Sequence, residues 1–300
     1  MDYINSAIAG TVCPKNCGTV SPPVNPHHFR THFLSDAPWR CPSCGHSESL
    51  WELVRSAIFS SNPLLPGAVA VGMAFASLRP KRLTLRRDEP AILDLSELGV
   101  PSDADVLGVY FTPITDMANG FLQPGLRAQR IVQGQPIPHH LELHPIAIFG
   151  GSDRTDVEVY CVWVPPQQKD LAPLAVAMIS YEARHYEEVI VPSCIVFEQK
   201  LKSELTNYFA KHEVNAGAAK NLLRAASFGH QLHAILPALM ATVGAPKMPK
   251  ELTSALSEMK KRRDKISHGR IAVDRESAAR AITASLFGYR YLSDFGQLLK

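Results

Sequence analysis

The sequence predicts a multidomain α+β protein in three parts, and three observations lead to that prediction. Two close pairs of cysteines lie within residues 1–62, short apolar stretches separated by turn signals fill residues 63–167, and helical periodicities fill residues 168–300. At ~150 residues per domain, 300 residues is more than one small domain. The hydrophobic fraction of 46% and the charged fraction of 20% exclude a disordered chain or a coiled coil.

The first part carries four cysteines at zinc-site spacing. Cys13 and Cys17 form C-x3-C, Cys41 and Cys44 form C-x2-C, and 23 residues separate the two pairs. Tetrahedral zinc takes four thiolates at about 2.3 Å, and each pair supplies two of them from one tight turn. Because four protein ligands close the coordination sphere, we expect a structural Zn²⁺ and not a catalytic one.

A histidine is the alternative ligand in this part. One of four histidines would then replace a cysteine, and these are His27, His28, His32 and His46. With its paired cysteines the arrangement resembles a zinc ribbon, a fold with two cysteine-bearing knuckles on a small sheet. Such ribbons bind nucleic acid or protein. From Ser49 the helical spacing of apolar residues predicts a short helix that ends before Asn62 and Pro63.

The second part, residues 63–167, has the pattern of an antiparallel β domain. Val157, Val159, Cys161 and Trp163 alternate with period two, as in a strand with one buried face. Several such stretches with turn signals between them predict a sandwich-like domain.

The third part, residues 168–300, is predicted to be an all-α bundle. Apolar-periodic segments run from Leu171 to Phe209, with a kink or break expected at Pro192, from Ala216 to Thr242, from Pro249 to about His268, and from about Asp274 to Phe295. Residues 247–270 contain eight basic groups and three acids, so this region is predicted to attract phosphates.

An arginine interrupts the apolar stripe of the third predicted helix. Leu252, Leu256, Met259, Arg263 and Ile266 all lie within about 40° of the direction of Leu252 at ~100° per residue. A guanidinium on a buried face is costly unless it is paired. Arg263 is therefore a candidate functional residue. The alternative is an arginine whose methylene stem covers the edge of the core.

Arg263, Asp264 and His268 form an Arg–polar–x–x–x–His motif at the end of that helix, followed by Gly269. In an all-helical part with a long first helix, this motif resembles the HEPN family (higher eukaryotes and prokaryotes nucleotide-binding), over roughly residues 170–300. The resemblance implies a metal-independent endoribonuclease. Arg263 would bind the phosphate and His268 would transfer protons. Asp264 would orient one of these two side chains. The neighbouring cations would bind RNA, namely Lys261, Arg262, Lys265 and Arg270.

Elementary chemistry agrees with this implication. Cleavage by an internal 2′-hydroxyl needs proton transfer near neutral pH, which imidazole supplies, and a fixed cation on the phosphorane, which arginine supplies. Positions five apart on a helix differ by ~140°, so one copy of the motif does not enclose a phosphate. We therefore expect a homodimer through the helical domain, with one cleft between two copies.

From the resemblance, the expected setting is a toxin or antiviral-defence effector, with the β-rich part as a sensor or specificity module and a regulatory protein as a further partner. The alternative is a non-catalytic nucleic-acid or protein-binding module that uses the ribbon and the bundle. No apolar run reaches ~18 residues, and no basic segment opens the chain as in a secretory signal. We therefore expect a cytoplasmic protein without membrane contact.

Overall fold

The described residues of a computed structural model form two compact units. One unit holds residues 77–164, and the other joins residues 33–59 to the helices from residue 170 onward. The mixed α+β class that the sequence predicts is confirmed. The structure describes residues 15, 33–35, 37–41, 43–60, 77–113, 121–126, 139–148, 153–164, 170–182, 184–267, 269 and 272–298.

The segment from residue 33 packs with the helical unit, whereas the sequence prediction set residues 1–62 apart. Strands β1 (Trp39–Arg40) and β2 (Ser47–Glu48) pair antiparallel, and helix α1 (Leu50–Ser60) follows. Ser49 caps this helix, because its Oγ accepts a hydrogen bond from the backbone N of Glu52 at 3.1 Å. The helix ends before Asn62, as predicted.

Six strands among the described residues of the β unit form two three-stranded antiparallel sheets. The orders are β3–β8–β5 and β4–β7–β6. The strands are β3 (Ser77–Arg86), β4 (Ala91–Asp94), β5 (Asp105–Pro113), β6 (Phe121–Leu126), β7 (His140–Ile148) and β8 (Arg154–Val164).

One hydrophobic core takes side chains from both sheets. Leu85, Leu143 and Val157 are among its fully buried members, from β3, β7 and β8. The alternation predicted for β8 is confirmed, since Val157, Val159, Cys161 and Trp163 are all buried there. Sequence reasoning did not find β6, which contains Pro124; this strand lies at an edge, where a residue without an N–H is tolerated.

The helical unit is built around the long helix α3. Helices α2, α6 and α7 all contact α3, and α4 follows it after a short connection. A helical turn (Phe228–His230) and a π-helical segment (Gln231–Ile235) lead into α5. The helices are α2 (Ala172–Glu182), α3 (Tyr186–Lys211), α4 (Ala216–Ala225), α5 (Leu236–Thr242), α6 (Lys250–Ser267) and α7 (Arg275–Leu298).

The first predicted helical segment breaks at a different place from the one expected. Arg184, with a φ of 64°, lies in the connection between α2 and α3, whereas Pro192 lies inside α3. The break expected at Pro192 is therefore wrong. A proline in the second turn removes one backbone hydrogen bond near the helix start, and packing on α2, α6 and α7 offsets that loss.

Helices α3, α6 and α7 meet at a glycine. A Cβ on Gly288 would lie 2.6 Å from Phe197 Cδ2 and 3.3 Å from Leu256 Cδ2. Only a residue without a side chain allows α7 to approach the other two helices this closely.

Within the part of the chain that the structure describes, no helix combines the length and the apolar character needed to cross a membrane.

Candidate functional site

The apolar stripe of α6 leads directly to Arg263. Leu252, Leu256 and Met259 are buried in the core of the helical unit, about three, two and one turns before Arg263. The Arg263 side chain is 24% exposed. The periodicity places Arg263 on the buried face of the helix, and in the structure its side chain is partly buried at the margin of the core.

Arg263 has two carboxylate partners. Its Nη1 donates to Oε2 of Glu198 on α3, and its Nη2 donates to Oδ1 of Asp264 at 3.4 Å. Burial by itself would lower the pKa of Arg263, but interactions with Cys194, Glu198 and Asp264 outweigh burial and raise it. The guanidinium is thus a permanent cation that two carboxylates hold in one orientation.

The floor of this site is a buried thiol. Cys194 lies one turn before Glu198 on α3 and is fully buried. Burial raises the pKa of Cys194 to about 12, with the charge of Glu198 adding to the effect. Cys194 is therefore a neutral thiol and not a nucleophile at neutral pH.

Asp264 is ionised and shared between two cations. Lys260 Nζ donates to Asp264 Oδ1 at 2.5 Å, one turn earlier on α6. This hydrogen bond lowers the pKa of Asp264, and the charges of Lys260 and Arg263 lower it further. The carboxylate can therefore orient Arg263 by accepting a hydrogen bond from it.

The other residues that the motif implicates differ in their surroundings. Arg262 Nη2 donates to Glu258 Oε1 at 2.9 Å, on another face of α6. Lys261 and Lys265 are exposed. His268 and Arg270 lie outside the described residues, so the structure brings together Arg263 and Asp264 but leaves the histidine as a prediction.

The end of α6 has the geometry that the motif implies. The helix ends at Ser267, and Gly269 adopts a left-handed φ of 64° while its N donates to the Ile266 carbonyl at 2.8 Å. This is the glycine termination expected two residues beyond a helix end.

Sequence reasoning missed Glu198 as the main partner of Arg263. The two residues are 65 positions apart, and only the packing of α3 against α6 joins them. The signal that the sequence offered for Glu198 was its position directly after Phe197, a large apolar residue. In the structure Phe197 is one of the fully buried side chains of α3.

Two of the four predicted zinc ligands lie in the turn between β1 and β2. Cys41 is buried and Cys44 is exposed, and Cys41 N donates to the His46 carbonyl at 2.7 Å. Gly45 N donates to the Cys41 carbonyl at 3.0 Å, and Gly45 has a φ of 71°. A tight turn that joins two cysteines and closes on a left-handed glycine fits one half of a tetrahedral thiolate site.

The other half of this site, Cys13 and Cys17, lies outside the described residues. Among the described residues, no group of three or more His, Cys, Asp or Glu side chains is arranged to hold a metal ion.

Comparison of the chain with models of protein families, with curated proteins and with solved structures finds no match.

Proposed function

We propose that the protein is a metal-independent endoribonuclease of the HEPN type. The proposal depends on one observation above all: Arg263 is a permanent cation, held by Glu198 and Asp264 and still partly exposed, directly before a helix end that leads into His268. A fixed guanidinium is the group that the charge on a cleaved phosphate requires, because it costs no reorganisation during the reaction.

In this proposal Arg263 contacts the scissile phosphate and His268 transfers protons. The 2′-hydroxyl loses its proton and attacks phosphorus, the bond to the 5′-oxygen breaks, and that oxygen gains a proton. Imidazole is suited to both transfers near neutral pH. The products are a 2′,3′-cyclic phosphate and a 5′-hydroxyl, and no metal is needed. Asp264 keeps Arg263 in position.

The cleft is proposed to form between two copies of the helical domain. Arg263 and His268 are five positions apart, so their directions from the helix axis differ by ~140° while a helix continues. A second copy of the chain would place its own Arg263 and His268 on the side of each phosphate that the first copy does not reach. Lys261 and Lys265 are exposed on α6 and would contact RNA phosphates beyond the cleft, together with Arg262 and Arg270.

The proposed biological setting is a toxin or antiviral-defence effector in the cytoplasm. A ribonuclease without a required cofactor has to be restrained, and the sandwich-like β unit is proposed as the sensor or specificity module. A regulatory protein would bind there. Zinc, held by Cys13, Cys17, Cys41 and Cys44 in a ribbon, would order the N-terminal segment and take no part in cleavage.

The deciding experiment measures cleavage of a labelled RNA by the full chain in the presence of EDTA. We expect His268→Ala to lower the rate about 10²–10⁴-fold while binding changes only a few-fold. Arg263→Ala should lower the rate by a comparable factor and also weaken binding. Arg262→Ala is the control for the cleavage rate at saturating RNA, since Arg262 pairs with Glu258 on another face of α6 and is proposed to contact only phosphates beyond the cleft. End-group analysis should find cyclic phosphate.

A specific observation favours the second candidate, a non-catalytic binding module. Arg263 already has two carboxylate partners, as a purely structural cation would. In that case His268→Ala leaves RNA binding unchanged and no variant alters cleavage, because the wild type does not cleave RNA. That result would overturn the ribonuclease proposal.

The zinc proposal has its own test. Elemental analysis of protein purified without chelator should find about one zinc per chain, and Cys44→Ser should lose it. Cys161→Ser is the matched control, because Cys161 lies in the β core. Zinc-free wild-type protein would contradict this part of the proposal and leave the ribonuclease part intact.

A further inference from the structure

A groove between α3 and α4 lies apart from the Arg263 site. It has a volume of about 440 Å³, within the range of small-molecule sites. Its apolar lining comes from Ala210 of α3, Val214 of the connection, and Ala219 and Leu223 of α4. Ala219 and Leu223 are buried, and Val214 is exposed.

Three cations border this groove. They are Lys202 on α3 and Lys220 and Arg224 on α4. No ion pair with a carboxylate of the described residues engages them, in contrast to Arg263. Residues 214–250 contain no Asp or Glu at all. The groove therefore carries a charge of about +3 that its own walls do not neutralise.

Apolar residues line the whole groove, whereas Lys202 and Arg224 lie away from the end near Val214. Lys202, Thr206 and Ala210 follow one face of α3 at four-residue intervals, and residues 216, 219–220 and 223–224 follow one face of α4. The connection at residues 212–215 joins the two helices. Lys202 lies nine positions before the end of α3 at Lys211, and Arg224 lies eight positions after the start of α4 at Ala216, which is about 12–14 Å along each helix. One end is thus cationic and the end near Val214 is apolar.

The positions of the cations and of the apolar residues determine which class of ligand fits the groove. Aliphatic side chains accept a hydrocarbon chain, and lysine and arginine stems extend the apolar wall while their charged ends reach the rim. Among the described residues that line the groove none is aromatic, so these residues offer no surface for stacking a nucleic-acid base. A phosphate backbone alone would not need an apolar floor.

We propose that the groove binds a single-chain amphipathic anion, with its acidic head between Lys202 and Arg224 and its aliphatic chain directed toward Val214. The ligand class is an unbranched acyl or alkyl chain with a terminal carboxylate or phosphate. Lys220, midway along α4, would contact the head group from the side. Binding here is independent of the RNA-cleavage proposal.

Calorimetry of the full chain with monomeric dodecanoate tests the proposal. Saturable binding at one site per chain is expected, with dodecyl phosphate as the second head group. Dodecylammonium, with the opposite charge, and acetate, without the chain, should each bind at least about tenfold more weakly. Equal binding of dodecanoate and dodecylammonium, or binding only above the micelle concentration, would overturn the proposal.

Two pairs of variants locate the site. Thr206→Trp fills the groove and should weaken dodecanoate binding at least about tenfold, whereas Asn207→Trp, the adjacent exposed position outside the lining, should not. Lys202→Glu with Arg224→Glu should weaken binding similarly, whereas Lys247→Glu with Lys250→Glu, equal in charge, should have little effect. Circular dichroism checks that each variant is folded. Undiminished binding by folded Thr206→Trp would place any ligand elsewhere and refute the groove.

Discussion

Helix α3 packs against α6 and α7 around Phe197 and Glu198, here called the closed side, and borders the α3–α4 groove from Lys202 to Ala210, here called the groove side. These two surfaces use charge and space differently. On the closed side Gly288 leaves no room for a methyl group, and Arg263 is paired with Glu198. On the groove side a cavity of about 440 Å³ adjoins three cations that form no ion pair with a carboxylate of the described residues. The paired charge of Arg263 therefore holds helices together, whereas the charges of the groove remain available to a ligand.

The largest expected effect comes from breaking the closed side with a larger side chain. Gly288→Val would force carbon atoms against Phe197, whose ring is fully buried. We expect a loss of about 2–3 kcal/mol in the free energy of unfolding, because a close-packed core accommodates little extra volume. Urea denaturation followed by circular dichroism measures it.

The same substitution on the groove side is the control. Ala210→Val should cost less than about 1 kcal/mol, mostly through lower helix propensity, because Ala210 is exposed in the groove. Equal losses for the two variants would mean that the two sides of α3 do not differ in packing.

A smaller effect is expected from removing the carboxylate partner of Arg263. Glu198→Ala leaves a partly buried guanidinium with Asp264 as its one carboxylate partner among the described residues, so we expect a loss of about 1–2 kcal/mol in the free energy of unfolding. A double-mutant cycle with Arg263→Ala isolates the coupling between the two side chains. Lys202→Ala, on the groove side, should cost less than about 0.5 kcal/mol. A coupling of zero would show that Glu198 does not hold Arg263.

The smallest expected effect concerns Asp264, an exposed carboxylate beside Arg263. The folded protein lowers the pKa of Asp264 through the hydrogen bond from Lys260, so its contribution to stability is present at neutral pH and is lost as pH falls through the folded pKa. Asp264→Asn should therefore lower stability at pH 7 but not below that pKa. Because the side chain is 53% exposed, the difference should stay under about 0.5 kcal/mol. Melting temperatures of both proteins across acidic pH measure it.

Local patterns in the sequence predicted much of this fold. The helix expected from Pro249 to about His268 is Lys250–Ser267 in the structure, and the one expected from about Asp274 is Arg275–Leu298. Both succeed because a 3.6-residue period with a proline or glycine at its ends is a strong local signal. The break at Arg184 was missed because no glycine or proline marks it.

Long-range pairing limited what the sequence could say about the sites. Arg263 was found because a charge on an apolar stripe is visible in one helix, but its partner Glu198 comes from another helix 65 residues away. The groove was missed for the same reason. Alanines and lysines on α3 and α4 look like ordinary solvated positions until the connection at residues 212–215 brings the two helices together.

The aromatic packing of the N-terminal segment determines how the chain can be shortened. The ring centroid of Phe287 on α7 lies 4.5 Å from that of Phe33 and 5.2 Å from that of Trp51, and Arg55 Nη1 lies 3.2 Å from Glu276 Oε1. A fragment cut at residue 168 would keep every predicted catalytic position yet present the bare ring of Phe287 to water. The smallest part that retains its own core therefore needs residues 33–59 supplied alongside the helices, either in one polypeptide or as a separate peptide added back.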